Sequence, residues 1–236
     1  MRVLVCCPGT CNHSAGFSDA WFAALRPWTR AYGDGVIGKT RFEVLWSDLI
    51  QDAPWLGQVW AGCSAGFFQY LYDLSTREAI IKRFFDVVQP LLDGNCCIDL
   101  LLHSEGTIIG YEGARACTLT KNMGIVLNIF TLGTALGYAW NPLVPGSNVR
   151  DHLLPQNSDG MMPEIANWWW NIVAENDPFG SPLRPAYGAT EDFTGLPAVG
   201  CSSVPPEPLC IHSSYFNPQN TAVLRDILAD KINGSI

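Results

Sequence analysis

A chain of 236 residues, 48% hydrophobic and 11% aromatic, can bury a sizeable core and is expected to form one domain over 1–236. Fourteen Lys and Arg against 22 Asp and Glu give a net charge of -8, with no long basic cluster to neutralise a phosphate backbone, which argues against nucleic acid as a partner. The opening MRVLVCCPGT lacks the apolar core and cleavage site of a secretory signal, so a cytoplasmic location is the expectation.

In chain order, a strand is predicted at 3–7, followed by Pro8-Gly9-Thr10 and a polar turn to Ser18. A helix over 19–31 carries Trp21, Phe22, Leu25 and Trp28 at compatible spacing, with Pro27 limiting its regularity. A second short strand falls at 42–46. Adjacent Cys6-Cys7 and Cys96-Cys97 lie in apolar strand-like runs whose alternate side chains face opposite ways, so buried thiols are expected there in preference to disulfides. No pair of cysteines or cluster of histidines has zinc-like spacing, and neither metal nor cofactor is expected.

Residues 51–72 contain Gly62-Cys63-Ser64-Ala65-Gly66, a literal G-x-S-x-G. Its context is wrong for a nucleophile, because PWLGQVWA precedes it where a buried strand is required. Ser64 is therefore read as a small residue in a loop or helix start. The aromatic residues around it suit a core, a pocket wall or a substrate cover.

An amphipathic helix is predicted over 76–92, capped by Ser75 or Thr76. It delivers the chain to CCIDLLLHSEGTIIGYEGA, residues 96–114, which read as a strand, a sharp turn and a helix. A serine at such a strained turn projects its hydroxyl above the sheet, and this makes Ser104 the candidate nucleophile. Gly106 supplies the glycine two residues after it, whereas Leu102 stands where the usual pattern has another glycine. A further strand follows at 124–132. The uncharged run from Met123 to Trp140 is broken by Gly124, Asn128, Gly133 and Gly137, so a strand and loop are expected in place of a membrane helix.

Alternation of strand and helix points to an α/β fold with a mainly parallel sheet covered on both faces. Residues 137–163 are rich in turn formers and form a candidate substrate wall or lid. Asp151-His152 within them is read as a surface salt pair or helix start, since adjacent side chains diverge. Three tryptophans and Ile172-Val173 mark another strand, and Glu175-Asn176-Asp177-Pro178 turns away from it, placing Asp177 at a sheet edge where ligands collect. Glu175 is the nearby substitute. His212 sits in LCIHSSYF, after a Pro-rich loop and before an amphipathic helix over 217–232.

Ser104, Asp177 and His212 occur in the order nucleophile, acid, histidine. With the strand into Pro8-Gly9-Thr10, the HSEG turn, FTLGT after the next strand, WWWNIVAENDP and HSSYF, the chain resembles the α/β-hydrolase superfamily, compact lipase- and esterase-like members above all. That resemblance implies Ser104 as nucleophile, His212 as base and Asp177 as its orienter, with backbone N–H groups of Thr10 and Glu105 at the oxyanion. It also implies a serine hydrolase cleaving small-molecule carboxylic esters through an acyl-enzyme. An acyltransferase or thioesterase using the same groups, and a non-catalytic binding protein on a hydrolase scaffold, are the alternatives.

Overall fold

The structure, a computed structural model, describes residues 1–10, 13–32, 40–50, 63–120, 123–137, 162–201 and 207–235. Asp151, His152 and all but the ends of the predicted 137–163 segment lie outside these residues, as does 51–62.

Six strands form one parallel sheet: β1 (Arg2–Cys7), β2 (Arg41–Glu43), β3 (Cys97–His103), β4 (Ile125–Leu132), β5 (Ala166–Ala174) and β6 (Glu191–Leu196). Their order is β2-β1-β3-β4-β5-β6, and every neighbouring pair is parallel. This is an α/β fold. The chain winds outward from β1 to β2, then returns to lay β3 on the other side of β1. The connections that leave the C-terminal ends of β1 and β3 therefore run to opposite faces of the sheet, as at the crevice where doubly wound sheets bind ligands.

Strand alternation divides the apolar residues between two faces. Val3, Val5, Ile98, Leu100 and Leu102 pack with α2 (Cys63–Tyr72), α3 (Leu74–Asp93) and α4 (Gly106–Ala116). Leu4, Cys6 and Leu101 face the other way, with α1 (Asp19–Leu25) and the C-terminal helical segment. That last segment runs as Thr221–Val223, then a π-helical stretch Leu224–Ala229, then Asp230–Gly234. In α3, Ile80, Phe84, Val88 and Leu92 recur every four residues and are fully buried. A helix is the conformation that puts that spacing on one face.

Local chemistry corrects three expectations, and the structure adds one strand. The cap of α3 is Asp73, not Ser75 or Thr76, because its carboxylate accepts from both of their backbone N–H groups. Pro27 ends α1 early, and the chain continues as the single 3-10 turn Arg26–Trp28. The strand expected at 42–46 shortens to three residues. The edge strand β6 is an addition, half-exposed along most of its length, with Gly195 at φ +70° in a sequence too polar to announce it.

The thiols of Cys6, Cys7 and Cys96 are free and buried, and Cys97 is free and half-buried, matching expectation. Desolvation pushes the Cys6 thiol up to about 12, so it is inert at neutral pH. A disulfide that the sequence did not announce joins Cys201 to Cys210. Among the described residues no helix is long and apolar enough to cross a membrane, and no cluster of side chains is arranged to hold a metal ion.

A buried polar knot fastens the opposite end of the sheet. Asp99 is fully buried on β3 and accepts from Arg2 Nε at 2.7 Å, Arg2 Nη2 at 3.0 Å, Tyr32 Oη at 2.7 Å and Asn128 Nδ2 at 2.7 Å. Four donors stand in for the hydration the carboxylate lost.

Candidate active site

Ser104 follows β3 directly and has φ +56°, a left-handed conformation that costs a non-glycine residue energy and persists only where its surroundings enforce it. Those surroundings can be named. The Ser104 N–H extends the β4 pairing by donating to Leu132 O at 3.0 Å, while the Ser104 carbonyl accepts from Thr107 N and, at 2.6 Å, from Thr107 Oγ1. Thr107 Oγ1 in turn accepts from Ala135 N at 3.2 Å and lies 3.0 Å from Thr134 Oγ1. The turn is thus bolted to the end of β4.

Leu102 in place of the usual first glycine is explained by its partner. A Cβ added to Gly110 of α4 would fall 2.4 Å from a Leu102 methyl. The space that a glycine normally leaves on the strand is provided here by a glycine on the helix.

The loop after β1 passes over the serine. A Cβ on Gly9 would lie 2.6 Å from Ser104 Cβ and 3.0 Å from its Oγ, so only glycine lets the Gly9-Thr10 backbone approach so closely. Glu105, the N-cap residue of α4, lies at the helix end where backbone N–H groups lack partners within the helix. Of the two residues expected from the sequence as oxyanion donors, Glu105 directly follows Ser104 and Thr10 directly follows Gly9, whose backbone lies against the serine.

Glu105 itself is unusual. Its side chain is fully buried and neither carboxyl oxygen has a hydrogen-bond partner. Burial raises its pKa well above the ordinary carboxylate value and so favours the protonated form.

Asp177 lies three residues beyond the end of β5, past Glu175 and Asn176, the latter in the left-handed region at φ +61°. Its Oδ1 accepts from Phe179 N at 2.9 Å, an Asx-turn of the kind Asp favours before such a bend. The turn role and the site role coincide in this residue. His212 Nδ1 lies 3.0 Å from Asp177 Oδ1 and 3.1 Å from Oδ2. An ionised carboxylate only accepts, so Nδ1 carries a proton and Nε2 is the nitrogen turned away from the pair. That Nε2 is buried and has no partner. Burial works against charge on Asp177, but hydrogen bonding and charge from His212, with the Tyr215 hydroxyl and the Phe179 N–H, prevail and hold the carboxyl below its usual range.

His212 is carried by a short helix, α5 (Pro208–Ser213), in place of the expected loop, and the Cys201–Cys210 disulfide ties that helix to the segment after β6. His103, the residue before Ser104, ties His212 to the end of β3. Alternation along β3 points His103 to the α1 and α5 side, where its Nε2–H donates to the His212 carbonyl at 2.8 Å and the two rings lie 4.8 Å apart. Burial, reinforced by the neighbouring His212 charge, pushes His103 down to about 3, so it acts as a neutral donor.

His103 and Tyr215 are site residues that sequence reasoning missed. Strand alternation and helical i, i+3 spacing from His212 were the signals for them. Of the sequence alternatives, Glu175 is exposed and Ser64 falls in the first turn of α2, its side chain outside the described residues.

Aromatic rings flank the pair. Half-buried Phe179 lies 4.6 Å from the His212 ring, and Trp21 stacks on Phe216 at 4.1 Å beside His103. No protein-family model matches this chain, and a search of curated proteins finds no match, so the reading of the site stands on its geometry.

Proposed function

We propose that this protein is a serine hydrolase of the α/β-hydrolase superfamily, lipase- and esterase-like, that cleaves carboxylic esters through an acyl-enzyme. The observation that carries the reading is the pairing of a left-handed serine at a strand-to-helix turn with a buried Asp177–His212 hydrogen bond whose outer imidazole nitrogen is unpartnered. In this reading His212 Nε2 takes the proton from Ser104 Oγ as the oxygen attacks the ester carbonyl. Asp177 keeps the imidazole in the required tautomer and stabilises the cation that forms. The tetrahedral oxyanion meets the N–H groups of Glu105 and Thr10.

Collapse expels the alcohol, protonated by His212, and leaves an acyl group on Ser104. Water, deprotonated by the same imidazole, then releases the acid and restores the serine. Phe179, Trp21 and Phe216 supply apolar surface beside the histidines, which favours substrates with an apolar acyl or alkyl part. Disulfides persist in oxidising compartments and are reduced in the cytosol, so the Cys201–Cys210 bridge favours a location other than the cytoplasmic one expected from the sequence.

The test is covalent labelling with a fluorophosphonate together with turnover of chromogenic esters of graded chain length. Labelling and turnover in the wild type, both abolished in Ser104→Ala, are expected. Labelling that survives in Ser104→Ala and disappears in Ser64→Ala would overturn the assignment.

A further inference from the structure

Tyr215 lies three residues after His212, on the single 3-10 turn Ser214–Phe216, and is fully buried. Its Oη is 2.5 Å from Asp177 Oδ2. The same oxygen accepts a 2.9 Å hydrogen bond from the N–H of Ala174 at the end of β5. A carboxylate has no proton to give, so the phenol donates, and the Ala174 N–H holds the phenol oxygen so that its proton points at Asp177.

The carboxylate is thereby held from three directions. Oδ1 receives His212 Nδ1–H and the Phe179 N–H, while Oδ2 receives Tyr215 and the longer of the two His212 contacts. Without Tyr215, Oδ2 would keep only the longer His212 contact. The other titratable side chain against the pair, His103 on β3, has its ring 6.0 Å from that of Tyr215 and is neutral.

We propose that Tyr215 is a positioning residue for the Asp177–His212 pair: its hydroxyl fixes the carboxylate's orientation and draws charge from it, and so sets how firmly the pair holds a proton. This rests on the hydrolase reading above. A donor to the ionised carboxylate lowers its proton affinity, and because that carboxylate accepts from His212 Nδ1, the effect passes to the imidazole and is seen in the acid limb of the activity profile.

The experiment measures kcat/KM for a chromogenic ester, and the rate of fluorophosphonate labelling, from about pH 4 to about pH 9. Three proteins are compared: wild type, Tyr215→Phe, and the protein with 3-fluorotyrosine in place of Tyr215. Removing the donor makes the pair more basic, so in Tyr215→Phe the acid limb moves to higher pH by about half a unit or more, with kcat lowered and KM nearly unchanged. The fluorinated phenol is the stronger donor and moves the limb to lower pH. A purely structural tyrosine would not give shifts of opposite sign. If the loss of the Ala174 partner prevents Tyr215→Phe from folding, the fluorotyrosine protein, which keeps the hydroxyl, decides the matter alone. Wild-type labelling with limbs that stay in place, or move in the same direction in both variants, overturns the inference alone. A wild type that is neither labelled nor active sinks the hydrolase reading and this inference with it.

Discussion

The buried carboxyl of Glu105 makes the sharpest quantitative prediction. Desolvation is the cause of its raised pKa, and no cation offsets it. The titratable groups that sense it are Cys7 on β1 and Tyr70 on α2, both pushed up by burial themselves, and the Arg77 guanidinium near Tyr70 is already paired with Glu112. The folded chain therefore keeps a proton that the unfolded chain releases near the ordinary value of 4.5.

Because the folded pKa is the higher one, Glu105's contribution to stability is fully present below the unfolded value. It is lost progressively as pH rises toward the folded value. Replacing Glu105 with Gln removes this titration while keeping a similar shape and the same backbone N–H. As pH rises past the unfolded value, the unfolded state releases this proton before the folded state does. The wild type should then lose unfolding free energy relative to Glu105→Gln, by at most about 1.4 kcal/mol per pH unit for this one proton. Below about pH 4 the two proteins should be nearly alike. Urea unfolding of both proteins at half-unit intervals measures the difference directly, and ester turnover in Glu105→Gln should persist. A stability difference that stays constant from about pH 4 to about pH 7 would refute the claim that this carboxyl is buried without compensation.

Two further outcomes follow from the geometry. Gly9→Ala places a methyl 2.6 Å from Ser104 Cβ and must displace the Thr10 backbone, so kcat should fall by about 10²–10³, the usual loss for one oxyanion donor, with little change in melting temperature; unchanged ester turnover would remove Thr10 from the site. Asp99→Ala leaves Arg2, Tyr32 and Asn128 facing an empty place at the far end of the sheet and should cost about 3–5 kcal/mol in urea unfolding, with fluorophosphonate labelling of the folded protein unaffected.

Local pattern was enough to read several parts of this molecule. The apolar runs leading into Cys7, Leu102 and Leu132 have too few polar positions for anything but buried parallel strands. The recurrence of Ile80, Phe84, Val88 and Leu92 has a helical period, and HSEG after a strand forces a turn. These signals lie within a few residues of each other, and so the order of elements, the parallel sheet and the candidates Ser104, Asp177 and His212 could all be named from the chain. The edge strand β6 could not, because pairing with β5 holds it in place and its own residues are half polar.

What the sequence determined by itself was which residue types stand at the ends of which strands. Their meeting was decided by the tertiary structure. His212 finds Asp177 across 35 positions, Tyr215 finds it across 38, and His103 reaches the His212 carbonyl across 109. The raised pKa of Glu105 and the lowered one of His103 likewise come from packing, since burial disfavours the charged form and burial is a property of the assembled layers. Periodicity along a chain says which face a side chain takes, but hydrogen bonds between strand ends depend on how the sheet is ordered, and that order exists only once the chain has folded.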